Sequence, residues 1–368
     1  MNIPFMDLSD CYDQIYDEVM EKIKGLIHNT RFVGGEEIDK FESEFADYCN
    51  VDYAVGCGNG TDALTLSLKA LGIGSGDRVI TVPNTFIATA EAITNVGAEV
   101  DFVDIEEDFY TMDPNKLEDY LKRKDSLSDI KAIIPVHLYG QMADMEAIME
   151  IADTYNLKVI EDAAQAHGAK LKNSPPGKYG DIATFSFYPG KNLGAFGDAG
   201  AVITNDKDIA KRVKILSDHG RKEKYFHQVE GYNSRLDSIQ AAVLRIKLKY
   251  LAEWTSKRRE KAKYYNQMLE DKNVITPKCR EEAKHVYHLY PIKVKERDKV
   301  KDFLAQQGIS TGIHYPVPLH LQPAYNYLDY SEGKFSVSER VSKELISLPL
   351  WPEIKFEQID YVCNQIQV

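Results

Sequence analysis

The chain has 368 residues, 43% hydrophobic and 28% charged, with a formal net charge of −12. That length suits two folded domains with ample core. The acidic balance, with no basic stripe set against it, excludes a nucleic-acid binder. A site for an anionic small molecule would have to concentrate its own positive groups.

Residues 1–10 have neither a basic n-region nor an apolar h-region, and no apolar run is long enough to span a bilayer. The expectation is a cytoplasmic protein with no membrane partner. Cys11, Cys49, Cys57, Cys279 and Cys363 are scattered, odd in number and without metal spacing, so they read as reduced thiols and no metal site is expected.

In chain order, residues 12–27 place Ile15, Val19, Ile23 and Ile27 at helical spacing, and 36–49 do the same with Ile38, Phe41 and Phe45. Arg31 and Phe32 sit in the Gly34-Gly35 break between them, where a lone arginine is most often solvated. The periodicity then changes. Residues 53–57 read as a strand, Gly58-Asn59-Gly60-Thr61-Asp62 as a turn, and 63–71 as a helix. Such a turn offers free backbone N–H groups and a helix dipole to an anion. It is neither a Walker loop nor a clean G-x-G-x-x-G, because Thr61 takes the last glycine place, and a plain strand–helix turn fits equally.

Strands follow at 77–82, 99–104, 130–136 and 158–162, alternating with helices at 87–96, 113–123 and 144–155. Continuous apolar strands alternating with helices predict a mostly parallel sheet covered on both faces. Ligands of such sheets bind at the carboxyl ends of the strands. Phe86, His137, Asp162 and Gln165 fall at or just after those ends. So does Lys191, in a glycine-spaced turn between strand-like runs 182–188 and 199–204. A turn delivering one amine from a strand end suits an imine-forming lysine; alone, it equally describes a hairpin with a solvated lysine.

Residues 206–217 read as a helix, and 218–228 as a charged, mobile-looking segment with Arg221 and Lys222. A long helix covers 237–254 and continues through 257–269. Beyond it come a strand at 286–294, a helix at 297–307, a strand at 311–313 and the loop His314-Tyr315-Pro316-Val317-Pro318-Leu319-His320. A helix at 338–346, a turn at Leu348-Pro349-Leu350 and a helix at 355–366 close the chain. The division expected is a larger domain over 1–250 and a smaller α+β domain over 251–368.

Four segments, in this order, resemble the fold-type I sugar aminotransferases of the DegT/DnrJ/StrS family, which depend on pyridoxal 5′-phosphate. They are Gly58-Asn59-Gly60-Thr61-Asp62-Ala63-Leu64, Glu161-Asp162-Ala163-Ala164-Gln165-Ala166-His167-Gly168, residues 186–200, and Gly231-Tyr232-Asn233-Ser234-Arg235-Leu236-Asp237. The resemblance covers nearly the whole chain. It implies an α/β fold of that class, with Lys191 as the imine-forming and proton-shuttling amine. Asp162 would pair with the pyridine nitrogen, Gln165 with the ring hydroxyl, and Phe86 would stack on the ring. Gly60, Thr61, the Asp62 backbone N–H and Ser186 would hold the phosphate. Asn233 is similar to a residue lent to the neighbouring subunit's phosphate site, which implies a homodimer with shared sites.

The implied substrates are L-glutamate as donor and a nucleotide-linked keto-sugar as acceptor. His314, Tyr315 and His320 resemble the family's sugar-contacting loop, and Arg31, Phe32, Tyr188, Arg221 and Lys222 are candidates for the nucleotide end. The segments His137-Leu138-Tyr139-Gly140-Gln141 and 314–320 look most like the 3-aminotransferase branch, acting on a dTDP-linked 3-keto-6-deoxyhexose. Amination at C4 of a dTDP- or UDP-sugar is the alternative, as is a non-catalytic regulatory member that binds the cofactor. Related sugar 3-dehydratases carry histidine where Lys191 stands, and a Rossmann dehydrogenase would need a cleaner glycine fingerprint.

Overall fold

The computed structural model describes residues 1–124 and 126–366. In chain order it runs α1 (Ser9–His28), α2 (Glu36–Tyr48), β1 (Tyr53–Cys57), α3 (Gly60–Ala70), β2 (Arg78–Thr81), α4 (Ala88–Asn95), β3 (Glu99–Phe102) and α5 (Pro114–Lys122). Then come β4 (Ile130–Ile133), α6 (Met145–Tyr155), β5 (Lys158–Asp162), the two-residue β6 (Lys170–Leu171), β7 (Ile182–Ser186), β8 (Gly200–Thr204) and α7 (Lys207–Ser217). A short hairpin, β9 (Arg221–Glu223) and β10 (Phe226–His227), precedes the long α8 (Ser238–Met268). The chain ends with β11 (Ala283–Lys284), β12 (Tyr290–Lys293), α9 (Arg297–Gln306), α10 (Ser336–Glu344), β13 (Leu345–Leu348) and α11 (Phe356–Gln365).

The main sheet has seven strands in the order β1-β8-β7-β5-β4-β2-β3. The pairs β7–β5, β5–β4, β4–β2 and β2–β3 are parallel, and β8 alone runs against both its neighbours. The strands β5, β7 and β8 are buried almost throughout, as strands covered on both faces must be. One core cluster joins Phe41 and Phe45 of α2, Met145 and Ile148 of α6, and Leu244 and Leu251 of α8 to one face. A second joins α3, α4 and α7 to the other, through Leu64, Leu66, Ile93 and Val213. A third gathers Ile3 with Tyr265, Tyr290, Ile292, Leu304, Ile346, Val362 and other residues of the last third of the chain.

Asp113, Asp144 and Asp206 cap α5, α6 and α7 through their carboxylates, which fixes where the helices begin after each crossover. Some local expectations fail. Residues 218–228 form the β9–β10 hairpin. Residues 286–289 are not strand, because their backbone bonds to Tyr139 and Gly140, and β12 starts at Tyr290. Residues 311–313 make a single bridge, Gly312 to Ser347. Leu345 and Ile346 belong to β13, paired with β12, where a helix is expected, and Leu348 ends that strand. Among the described residues no helix is long and apolar enough to cross a membrane.

Candidate active site

The chemistry gathers at the carboxyl ends of β5 and β7. Asp162 ends β5 and is 5% exposed. Its Oδ2 accepts from Thr89 Oγ1 at 2.8 Å, and its Oδ1 from the Ala164 N–H at 3.2 Å. Thr89 is steadied in turn by Thr85, 2.9 Å away. No cation among the described residues hydrogen-bonds this carboxylate. Burial pushes its pKa up, while the two hydrogen bonds and the charge of Lys191 pull it back. A buried carboxylate with spare acceptor capacity is costly unless a cationic partner arrives.

Lys191 stands on the turn after β7, where its backbone N–H donates to the Tyr188 carbonyl at 2.8 Å. Its Nζ has no hydrogen-bond partner among the described residues. Burial lowers its pKa from 10.5 to about 8, against the opposing pull of Asp162. The amine is therefore poised near neutrality, as a nucleophile and proton carrier needs. Gln165 is held at both ends: its Oε1 accepts from the Tyr139 N–H at 2.7 Å, and its Nε2 donates to Tyr315 Oη at 3.2 Å.

The anion cradle is the start of α3. The helix begins at Gly60, inside the glycine turn, and Asn59 caps it by accepting the Asp62 N–H at 2.8 Å. The Asp62 N–H, expected at the phosphate, is engaged by this cap. Gly60 and Thr61 keep first-turn N–H groups without partners among the described residues. Ser186, at the end of β7, closes the cradle, for a Cβ on Gly60 would lie 2.6 Å from Ser186 Cβ. Gly200 lets β8 pass equally close, since a Cβ there would meet the Asn59 carbonyl oxygen at 2.3 Å. Ser234 is a participant the sequence reading missed. It donates to Asp62 Oδ2 at 2.7 Å and accepts the Gly58 N–H at 3.1 Å. Nothing local to Ser234 signals a contact with a turn 172 residues earlier.

Phe86 is 55% exposed, with its ring 5.8 Å from that of Tyr315. A phenyl ring so open beside a site is available to stack on a planar ligand. His314 bonds Ser347 Oγ at 2.9 Å, stacks on Phe5, and its carbonyl accepts from Tyr139 Oη. Burial lowers its pKa to about 4, with Lys191 adding to the shift, so the ring is neutral at working pH. His320 does not face an open site. It is 2% exposed, bonded to Glu339 at 3.0 Å and packed against Phe335, which corrects its reading as a sugar contact.

Arg31, Phe32, Tyr188, Arg221, Lys222 and Asn233 are exposed. Among the described residues no hydrogen bond joins the side chains of these six to Asp162, Gln165 or Lys191. Arg221 pairs with Asp218, and Asn233 Oδ1 accepts from Arg235 at 3.0 Å. Arg31 lines a cleft of about 460 Å³, and Arg221 and Lys222 another of about 550 Å³; neither is lined by Lys191 or Asp162. His137, singled out at a strand end, is turned inward: its Nε2 meets Glu161 Oε2 at 2.8 Å and its Nδ1 accepts the Ala143 N–H at 3.1 Å.

These groups fit pyridoxal 5′-phosphate: a buried carboxylate with no cationic hydrogen-bond partner among the described residues for the pyridine nitrogen, a low-pKa amine, an exposed aromatic face and an N–H cradle for the phosphate. A chain from Geobacillus stearothermophilus, described as a pleiotropic regulatory protein, is 47% identical over all of this chain and 98% of its own. The dTDP-3-amino-3,6-dideoxy-alpha-D-galactopyranose transaminase of Aneurinibacillus thermoaerophilus is 43% identical, over 99% of this chain and 98% of its own. Streptomyces venezuelae DesV, solved in complex with a ketimine intermediate, superposes with a TM-score of 0.95 at 40% identity, over 99% of this chain and 97% of its own. The family model of the DegT/DnrJ/EryC1/StrS aminotransferases matches residues 13–367. The chain belongs to that family, and its fold is that of the aminotransferases that use pyridoxal 5′-phosphate.

Proposed function

We propose that this chain transfers the amino group of L-glutamate to C3 of a nucleotide-linked 3-keto-sugar, with a dTDP-linked 3-keto-6-deoxyhexose as the acceptor. The observation that carries the reading is Lys191, with its pKa lowered to about 8, set within electrostatic reach of the buried and otherwise unpaired Asp162. The choice of C3 and of a dTDP-sugar draws on the transaminase from Aneurinibacillus thermoaerophilus and on a dTDP-3-amino-3,4,6-trideoxy-alpha-D-glucose transaminase of Streptomyces venezuelae, 41% identical over 99% of this chain and 95% of its own.

Pyridoxal 5′-phosphate supplies an aldehyde and an electron-withdrawing ring that lets a proton leave the carbon bearing the amine. Asp162 would accept the pyridine N–H and keep that nitrogen protonated, and Gln165 would bond the ring hydroxyl. Phe86 would cover one face of the ring and shield it from water. Gly60 and Thr61 N–H groups with Ser186 Oγ would hold the phosphate. Lys191 takes up and returns the proton, which an amine with a pKa near 8 can do in both directions at neutral pH. His314 and Tyr315 would contact the sugar.

We also propose that Asn233 serves a neighbouring subunit's cradle in a homodimer, and that the exposed Arg31, Phe32, Tyr188, Arg221 and Lys222 receive the nucleotide across that interface. A division into 1–250 and 251–368 falls within α8; the third core cluster supports it, although Leu319, Tyr325 and Phe335 pack on the larger part. Five free cysteines agree with a cytoplasmic setting.

The test is spectroscopic and kinetic. Purified protein with added cofactor should show an absorbance band that glutamate shifts to the amine form. It should then turn over a dTDP-linked 3-keto-sugar faster than 4-keto or UDP-linked ones. No response to glutamate refutes the donor, and faster turnover of a 4-keto-sugar refutes C3. A second reading, a regulatory binder of the cofactor, is favoured by the relative described as a pleiotropic regulatory protein. It predicts the band but no turnover with any keto-sugar.

A further inference from the structure

We propose that His288 is a positioning residue for Lys191, acting through Asn192. Lys191 Nζ makes no hydrogen bond among the described residues, so its place depends on the backbone that carries it. The next residue, Asn192, is 7% exposed and its amide is tied at both ends. Its Nδ2 donates to the Val286 carbonyl at 3.1 Å, and its Oδ1 faces His288 Nδ1 at 3.3 Å. Because Nδ2 is the donor to Val286, Oδ1 must be the acceptor, and His288 must carry its proton on Nδ1. A turn that carries the reactive amine is thus fastened to a segment about 95 positions further along the chain.

That segment cannot drift. The Val286 N–H donates to the Gly140 carbonyl at 2.9 Å and the Leu289 N–H to the Tyr139 carbonyl at 3.3 Å. Gly140 has φ +107°, and a Cβ there would meet the Tyr287 and His288 nitrogens at 2.9 Å. The Tyr139 N–H holds Gln165, and Tyr139 Oη holds the His314 carbonyl. One scaffold, residues 139–140 with 286–289, therefore sets Gln165, His314 and the Lys191 turn together. Lys191, Arg258, His167 and His314 are the titratable groups around His288, and burial together with these neighbours keeps its ring neutral. A neutral ring protonated on Nδ1 leaves Nε2 unprotonated, with no partner among the described residues.

The proposal refines the transaminase reading only where turnover is measured; the main readout does not need activity. Amide hydrogen exchange of the peptide covering residues 187–200 is followed in the dimeric or monomeric protein as isolated, with and without pyridoxal 5′-phosphate. His288→Ala should speed exchange there by about tenfold, the effect of one lost hydrogen bond on local opening; Asn192→Ala, which loses both bonds of the amide, should speed it further, and the double variant no more than Asn192→Ala alone. His288→Asn puts an amide N–H where Nδ1 stands and should restore slow exchange; His288→Gln puts it where Nε2 stands and should not. With the cofactor bound, the pH midpoint of the absorbance band should move in the Ala and Gln variants and stay in the Asn variant. If Ala does not fold, the Asn and Gln pair decides. Equal exchange in all variants, or rescue by Gln rather than Asn, overturns the proposal. Loss of turnover with unchanged exchange overturns it as well and leaves the transaminase reading standing.

Discussion

Replacing Lys191 by Met should make the cofactor-free protein more stable at pH 7. Lys191 titrates at about 8 in the fold, against 10.5 for a free lysine. Below pH 8 the amine is charged in both the folded and the unfolded chain, and the folded state bears the whole cost of burying it. At about 1.4 kcal/mol per unit the depression corresponds to roughly 3 kcal/mol. Met is close in volume and carries no charge. That figure is already net of the attraction of Asp162, and with some of it lost to imperfect packing of the new side chain the gain should be about 1–3 kcal/mol. The sign follows from proton binding: between pH 8 and 10.5 the unfolded chain holds more protons than the folded one, so the parent gains stability as pH rises. The difference between variant and parent should therefore be largest at or below pH 8 and vanish by about pH 10.5. Urea unfolding at pH 7, 8, 9 and 10 measures it. A variant less stable than its parent at pH 7, or an offset constant with pH, would refute the electrostatic argument. The same variant should lose the cofactor's absorbance band and all transamination.

Asp162→Asn keeps the shape and removes the charge that would hold the pyridine nitrogen protonated; turnover should fall by roughly 10²–10³-fold, with cofactor-free stability unchanged or higher. His167 is fully buried between Phe185 and Phe187, faces the Ser186 carbonyl outside hydrogen-bond geometry, and has its pKa lowered to about 3 by burial and by Lys191. Stability is lost as pH falls from 6.5 toward that value, because the unfolded chain takes up the proton first. His167→Leu should add about 2 kcal/mol at pH 5 and nothing at pH 8, read from urea curves at both. Gly140→Ala should cost about 2–4 kcal/mol, because a new Cβ meets backbone nitrogens at 2.9 Å in a left-handed conformation. Gly25→Ala, with nothing within 4 Å inside α1, should gain about 0.5–1 kcal/mol in the same assay. His137→Leu strips a fully buried carboxylate, Glu161, of its side-chain partner and should cost about 3–5 kcal/mol in chemical unfolding.

The parallel sheet is legible because its strands are continuous apolar runs, and the period alone separates them from the helices between. The strand-end position of Asp162, Gln165 and Lys191 follows from the same reading, since ligands of such sheets collect there. Other features depend on contacts that no local pattern carries. The run Glu344-Leu345-Ile346-Ser347-Leu348 continues a helical pattern, and only pairing with β12 makes Leu345 onward a strand. His314 and His320 stand six residues apart in one proline-rich loop with equal chemistry. Burial against Phe335 and the bond to Glu339 withdraw His320, while His314 stays coupled to Lys191. Asn192 and His288 are ordinary residues until the fold joins them.

Glu161 and Asp162 show how one strand gives two adjacent carboxylates different tasks. Side chains alternate across a strand, so the two point to opposite faces of the sheet. On one face Glu161 is saturated: Oε1 accepts the Gly177 and Gly180 N–H groups at 2.8 and 2.9 Å, and Oε2 meets His137. The tautomer of His137 is set, because its Nδ1 accepts the Ala143 N–H, so Nε2 is the donor to Glu161. With both oxygens engaged by the frame and the side chain fully buried, that carboxylate belongs to the frame. On the other face Asp162 accepts, among the described residues, a threonine hydroxyl and one N–H, and no cation. The difference lies in what surrounds each carboxylate rather than in residue type. It leaves Asp162 the carboxylate at this strand end with charge to spare, on the side where the electrostatic reach of Lys191 meets it. A cationic ring nitrogen held there would offset the cost of burying this carboxylate and would gain a fixed counter-charge.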